Sequence, residues 1–148
     1  MIKKVYFAAG CFWGVEKVFY NLNGVISTCV GYCGGTTSNP CYEQVCRGNT
    51  NHAETVEVVY DTSVITFEKL LDIFWNMHDP TLVNRQGYDV GSQYRTHIFV
   101  DDDHDMEKAL LSKINFAKYL KKEIATKISV ITQFYKAEDY HQKYFLKN

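Results

Sequence analysis

Val5-Tyr6-Phe7-Ala8-Ala9-Gly10-Cys11-Phe12-Trp13-Gly14-Val15 carries two periods, and the switch between them sets the fold. Val5 to Ala9 is a short apolar run of the kind a buried strand needs, and Gly10 ends it. From Cys11 the apolar positions Phe12, Val15, Val18, Phe19 and Leu22 recur at helical spacing until Asn23-Gly24 closes the helix. A cysteine therefore stands between a strand's end and a helix's first turn.

Outward from this unit, Val25 to Tyr32 is strand-like. Cys33 to Ala53 is then a long irregular stretch, marked by Gly34-Gly35, Asn39-Pro40 and Gly48-Asn49. Glu54 to Tyr60 alternates as a strand. Thr66 caps a helix carrying Leu70, Leu71, Ile73, Phe74 and Met77, which stops near Asp79-Pro80. Leu82 to Tyr94 is a second polar, glycine-marked loop, and loops this long in a compact domain are usually functional. Thr96 to Val100 is a strand, and Asp101 to Asp103 lead into the longest helix, ending near Ala125. Ile128 to Thr132 is the last strand, and Ala137 to Phe145 a short amphipathic segment. Strands and helices alternate irregularly, with a hint of two βαβ halves. The expected fold is α+β: one catalytic domain over residues 1–148, with a mixed or antiparallel sheet flanked by helices. This is a ferredoxin-like two-layer sandwich with long functional loops.

A chain of 148 residues, 46% hydrophobic and 15% aromatic, buries a core without disulfides or metal. Sixteen basic against seventeen acidic residues, with no basic stretch, argue against nucleic acid as the partner. The apolar runs are too short to span a bilayer, and the apolar start is too short for a signal peptide. A cytoplasmic monomer is expected. Five cysteines (Cys11, Cys29, Cys33, Cys41, Cys46), an odd number crowded into the first third, fit catalytic, redox or metal chemistry better than a secreted disulfide scaffold.

Cys11 is the first candidate. At a helix start it meets unpaired backbone N–H groups and the positive end of the helix dipole, both of which favour thiolate. A small buried residue closing a strand–helix turn would serve equally well there. Phe12 and Trp13 are adjacent and cannot both face the core, so at least one should be partly exposed beside Cys11. An aromatic wall suits a small apolar group such as a thioether methyl, although core packing explains either ring taken singly.

Gly10-Cys11-Phe12-Trp13-Gly14 resembles the signature of the A-type peptide methionine-S-sulfoxide reductases. The likeness continues through Gly31-Tyr32-Cys33-Gly34-Gly35, Asn39-Pro40-Cys41-Tyr42-Glu43-Gln44-Val45 and His52-Ala53-Glu54. It runs on through Phe74-Trp75-Asn76-Met77-His78-Asp79-Pro80 and Arg85-Gln86-Gly87-Tyr88-Asp89-Val90-Gly91-Ser92-Gln93-Tyr94-Arg95-Thr96. It closes with Phe134-Tyr135-Lys136-Ala137-Glu138-Asp139-Tyr140-His141-Gln142. The resemblance implies Cys11 as nucleophile, Phe12 and Trp13 as the methyl pocket, and Glu54 as proton donor to the sulfoxide oxygen. It implies Tyr42 and Tyr94 as phenols bonded to that oxygen, and Asp89 as an organiser of the site. The implied activity is repair of oxidised proteins: methionine S-sulfoxide, protein-bound or free, is reduced through a Cys11 sulfenic acid. No bound cofactor or metal is implied, and thioredoxin or another thiol serves as reductant. A carboxyl near Phe12 and Trp13 would be desolvated and kept protonated for its task.

Two departures from the family pattern stand out. Asn51 replaces the glycine usual before His52-Ala53-Glu54, and Asn tolerates the left-handed conformation such a glycine marks. The chain also lacks the C-terminal cysteine tail many relatives use to resolve the oxidised nucleophile. Internal resolution is expected from Cys41 or Cys33, which sit among turn residues. Cys46 reads as more apolar and buried, and Cys29 as core.

A competing reading takes Cys29, Cys33, Cys41, Cys46 and His52 as a zinc cluster in an interaction module. Neither cysteine spacing is the tight Cys-x2-Cys knuckle of structural zinc sites. A disulfide oxidoreductase is disfavoured because Cys11 has no Cys-x-x-Cys partner.

Overall fold

The structure, a computed structural model, describes residues 1–148. In chain order it forms β1 (Ile2–Ala9), α1 (Phe12–Phe19), β2 (Val25–Cys33), α2 (Tyr42–Cys46), β3 (Ala53–Asp61) and α3 (Phe67–Met77). These are followed by the short pair β4 (Arg85–Gln86) and β5 (Asp89–Val90), then β6 (Thr96–Val100) and α4 (Asp103–Leu120). Strands β7 (Lys127–Val130) and β8 (Phe134–Lys136) and a terminal helical turn α5 (Tyr144–Lys147) end the chain.

Alternation along the strands sorts the sheet's two faces. Val5, Phe7 and Ala9 of β1 join the main core, while Tyr6 turns to the other side. Phe7 lies between Phe19 of α1 and Phe74 of α3, with ring centroids 4.8 and 4.9 Å away, so both helices cover one face. A small cluster of Tyr6, Cys33 and Phe99 forms on the opposite face.

The sheet runs β7-β6-β1-β3-β2-β8, antiparallel throughout except for the β6–β7 pair. Its central order, β6-β1-β3-β2, is what a β-α-β-β-α-β chain makes in a ferredoxin-like sandwich. The expected α+β architecture with a mixed sheet is the one observed. Thr66 caps α3 as read, its hydroxyl accepting from the Lys69 amide at 3.0 Å.

Several boundaries differ from the sequence reading. Helix α1 stops at Phe19, short of Leu22, and α4 ends at Leu120, where Lys121 turns left-handed at φ 56°. Cys33 is the last residue of β2 rather than the first of a loop. The two irregular stretches contain α2, the β4–β5 pair and a 3-10 turn at Ser92–Tyr94. The C-terminal segment contributes β8, an edge strand. Elements of two to five residues are too short to show a period, so patterning alone does not reveal them.

The C-terminal segment is strapped across β2 and α1. Gly31 of β2 is required where β8 crosses, because a Cβ there would lie 2.4 Å from the Tyr135 carbonyl oxygen. The Gln142 amide extends the ladder: it accepts from the Val30 N–H and donates to the Val30 carbonyl, both at 2.9 Å. Lys143 then donates from its backbone (2.8 Å) and its ammonium (3.0 Å) to the Glu16 carboxylate, which also accepts from the Thr28 hydroxyl at 2.7 Å. Glu16 is 1% exposed, so its charge is tolerated only with this full set of partners. Glu16→Ala should cost about 3 kcal/mol in a urea melt, because Thr28 and Lys143 lose their acceptor. Glu16→Gln should cost less. A loss under about 0.5 kcal/mol for the alanine variant would contradict this role for the strap.

Candidate active site

Gly10 adopts φ +99°, and a Cβ on it would meet the Gln86 side chain at 2.9 Å. Glycine thus lets the chain turn sharply from β1 into α1 while the β4–β5 hairpin lies against the turn. Gln86 is itself fixed, exchanging hydrogen bonds with the Asp79 backbone at 2.9 and 2.8 Å. Cys11 occupies the N-cap of α1, and the Trp13 and Gly14 N–H groups point at its sulfur. Sequence reasoning expected these donors to favour thiolate. Burial outweighs them and, with the negative charges of Glu54 and Asp89, pushes the Cys11 thiol up to about 11. Cys11 is therefore held as a thiol in the free protein.

Glu54 stands on β3 opposite Tyr32 of β2, with its side chain on the helix-covered face. It is 1% exposed, and the Phe12 N–H donates to its Oε1 at 3.1 Å. Burial raises its carboxyl to about 7, against the pull of the Phe12 amide, and the Asp89 charge adds to the rise. A carboxyl that keeps its proton up to neutral pH therefore lies beside the nucleophile candidate. Tyr42 and Tyr94 both feel the Glu54 charge and remain phenols at any physiological pH. The hydrogen bond with Cys46 and then burial raise Tyr42, while burial pushes Tyr94 up to about 12.

The aromatic pair divides as adjacency requires. Phe12 is buried, its ring against Tyr32 and His141 at 5.8 and 5.0 Å. Trp13 stays half-buried, stacked on Tyr144 at 3.7 Å with 5° between the planes. Two residues to which the sequence reading gave no role hold this wall. His141 accepts the Trp13 indole N–H on Nδ1 at 3.0 Å and packs over the Tyr42 ring at 4.5 Å. Its proton is therefore on Nε2, which is buried without a partner, and burial lowers its pKa. Glu138 accepts from the Tyr32 hydroxyl (2.8 Å) and the Tyr42 backbone N–H (2.9 Å), fixing the start of α2. Only their place in the polar stretch Glu138 to Gln142 marks them in the sequence.

Asp89 is exposed on β5 and reaches Cys11, Glu54 and Tyr94 through its charge. With Gln86 and Gly87 it lines a cleft of about 370 Å³ that opens onto Gly10, Cys11 and Gly14. Cys11, Phe12, Trp13, Tyr42, Glu54, Asp89 and Tyr94 are thus brought together from α1, α2, β3, β5 and the turn before β6. A larger groove of about 730 Å³ between α3 and α4 lies elsewhere and contains no thiol.

Cys33, Cys29 and Cys46 are placed differently from their sequence reading, and Cys41 is not. Cys33 is 1% exposed against Tyr6 and Phe99 on the far face of the sheet, and burial pushes its thiol up to about 12. It has no freedom to move as a turn residue. Cys29 shares that face but is half-buried rather than core. Cys46, read as buried, is exposed at the end of α2, and Cys41 is exposed before it. Both ring nitrogens of His52 are engaged, with the Gly35 N–H at 3.0 Å and the Thr37 carbonyl at 2.7 Å. No three His, Cys, Asp or Glu side chains converge as metal ligands would, so the zinc reading finds no ligand set. Asn51 adopts φ 61°, the left-handed conformation expected of a glycine substitute.

Comparison with known proteins bears on this site. Residues 3–148 match the family described as peptide methionine sulfoxide reductase. A relative named peptide methionine sulfoxide reductase MsrA, from Lachnoclostridium phytofermentans, is 53% identical over 148 residues, covering 100% of this chain and 89% of the relative. The crystal structure of reduced Mxr1 from Saccharomyces cerevisiae superposes with a TM-score of 0.95 at 39% identity, covering 99% of this chain and 86% of that one. The structure of Mxr1 in complex with Trx2 matches with a TM-score of 0.70 at 28% identity, covering 97% and 84%. This chain belongs to the peptide methionine sulfoxide reductase family.

Proposed function

We propose that this chain reduces the S epimer of methionine sulfoxide, in proteins and as the free amino acid, with Cys11 as nucleophile. The observation that carries this reading is the Glu54 carboxyl, 1% exposed and bonded to the N–H of Phe12, the residue next to Cys11, at 3.1 Å; burial pushes it up to about 7. Trp13 offers a flat wall and Phe12 a floor for the substrate's S-methyl group. Glu54 donates its proton to the sulfoxide oxygen as the Cys11 sulfur attacks the sulfoxide sulfur, and the thiol's proton returns to Glu54. The hydroxyl passes to the Cys11 sulfur as the S–O bond and the transient sulfur–sulfur bond break, methionine leaves as the thioether, and Cys11 is left as a sulfenic acid. Thiol plus sulfoxide gives sulfenic acid plus thioether with no net proton, so a neutral thiol and a neutral acid suffice. Tyr42 and Tyr94 hydrogen-bond the oxygen without adding charge, and the Asp89 charge adds to the burial that keeps the acid protonated.

A thioredoxin-type dithiol is the proposed final reductant, supported by the complex that Mxr1 forms with Trx2. We place the enzyme in the cytoplasm, as a monomer repairing oxidised proteins. No helix is long and apolar enough to cross a membrane.

Cys11→Ser should abolish reduction of methionine S-sulfoxide and leave the far-UV circular dichroism unchanged, with the R epimer inert for either protein. Turnover by the serine variant would remove Cys11 from the mechanism. The rate of sulfenic acid formation in single turnover should fall as pH rises through about 7, where Glu54 loses its proton. Glu54→Gln should lower that rate about 10²-fold and flatten the profile. An unchanged rate would leave Glu54 with a structural role alone. The raised carboxyl also contributes stability that is full below its ordinary value of 4.5 and gone above about 7. The glutamine variant should therefore lose this pH dependence of stability, read from melts across that window.

A further inference from the structure

We propose that Cys46 is the thiol that resolves the Cys11 sulfenic acid; this rests on Cys11 being the nucleophile. The fold sorts the four other cysteines. Cys29 and Cys33 sit at alternate positions of β2 and share the face turned away from α1, so the sheet itself separates them from Cys11. Cys41 precedes α2, and its backbone N–H is tied to the Gln44 side chain at 2.9 Å. Cys46 lies four residues after Tyr42, which puts both side chains on one face of α2. That face is turned to the site: the Tyr42 ring packs on His141 at 4.5 Å, and both the Tyr42 hydroxyl and the Glu54 charge act on the Cys46 sulfur. The Tyr94 phenol feels the charge of both the Cys46 and the Cys11 sulfur. Among the four thiols, Cys46 alone is both exposed and aligned with Tyr42.

The segment that carries Cys46 is built to give way. Helix α2 is five residues long, too short to be stable by itself, and its anchors are Val45 and Tyr42, so its last turn beyond Val45 has none. Cys46, Arg47, Gly48 and Asn49 are all exposed, and Gly48 turns left-handed in open space. A bridge requires this turn to unwind, so that Cys46 passes Tyr42 and its Cα comes within roughly 7 Å of the Cys11 Cα.

The Cys46 sulfur attacks the Cys11 sulfur, the S–O bond breaks, and the hydroxide leaves as water with one proton. Cys11 is reduced by this step and Cys46 oxidised, giving the disulfide. Methionine has left by then, so the two steps do not compete for the space beside Tyr42 and Tyr94. An external dithiol then attacks the exposed Cys46 side of the bridge and frees Cys11. Bridge formation thus brings the oxidised form to a sulfur an external partner can touch, whereas Cys11 itself is partly buried.

The test treats the full chain with one equivalent of methionine S-sulfoxide without reductant, followed by peptide mapping. A Cys11–Cys46 bridge is expected. C46S should accumulate Cys11 sulfenic acid, trappable with dimedone, and lose thioredoxin-supported turnover by about tenfold or more, while dithiothreitol still sustains it. C41S should behave as the unaltered chain does. A bridge to Cys41, a trapped Cys11 sulfenic acid beside a free Cys46 thiol, or full thioredoxin-supported turnover by C46S would overturn the proposal. Failure of the underlying reading looks different: C11S would then still form methionine.

Discussion

One hydrogen bond, from the Phe12 amide to the Glu54 carboxyl at 3.1 Å, joins the first turn of α1 to the middle of the sheet. It satisfies one of the donors a helix start leaves unpaired, and does so with a side chain from β3 instead of a local cap. Cys11, at the N-cap, makes no side-chain capping bond, so its sulfur stays available for chemistry. The antiparallel β1–β3 pairing makes this possible, since it sets the end of β1 and the start of α1 over the residues that begin β3. Everything else in the site is arranged around this joint.

The electrostatics at the joint resolve a competition. A helix start stabilises a thiolate by about 0.3–1 kcal/mol, and by at most about 2 in favourable geometry. The rise of the Cys11 thiol from 9.0 to about 11 corresponds to roughly 3 kcal/mol in the opposite sense. Burial therefore wins over the dipole, and the Asp89 charge adds to it. The same burial keeps Glu54 protonated and both phenols neutral, so the free site holds its protons and carries little charge apart from Asp89. Such a site receives a neutral sulfoxide without opposing charge, and an S–O bond that breaks with proton transfer needs nothing more. The C-terminal strap supports this arrangement from behind, through Glu138 under Tyr42 and His141 under Trp13.

The sequence made the large elements legible because they carry long periods. Alternation over Glu54 to Tyr60 and helical spacing from Phe12 identify β3 and α1, and the Thr66 cap is local chemistry that no tertiary contact overrides. Cys11, Phe12 and Trp13 could be singled out from their place at a strand–helix junction, and the partial exposure of Trp13 follows from adjacency. Other features depend on contacts distant in the chain. Nothing local to Cys33 says that it faces Tyr6 and Phe99, and nothing local to Cys46 says that a one-turn helix exposes it beside Tyr42. The helix start at Cys11 is visible in the sequence, whereas the burial and the Glu54 and Asp89 charges that outweigh it are not. Glu138 and His141 act through partners about 100 residues away or more, beyond the reach of any pattern.

The central claim is that burial beside Phe12 holds the Glu54 carboxyl neutral at the pH where the enzyme works. The most direct measurement is a carbon-detected NMR titration of the Glu54 side-chain carboxyl in the free protein, assigned by its disappearance in the glutamine variant. A midpoint near 7, well above the ordinary 4.5, is the predicted result. A midpoint at or below 4.5 would mean that Glu54 is ionised throughout, and would contradict the account of how this site delivers its proton.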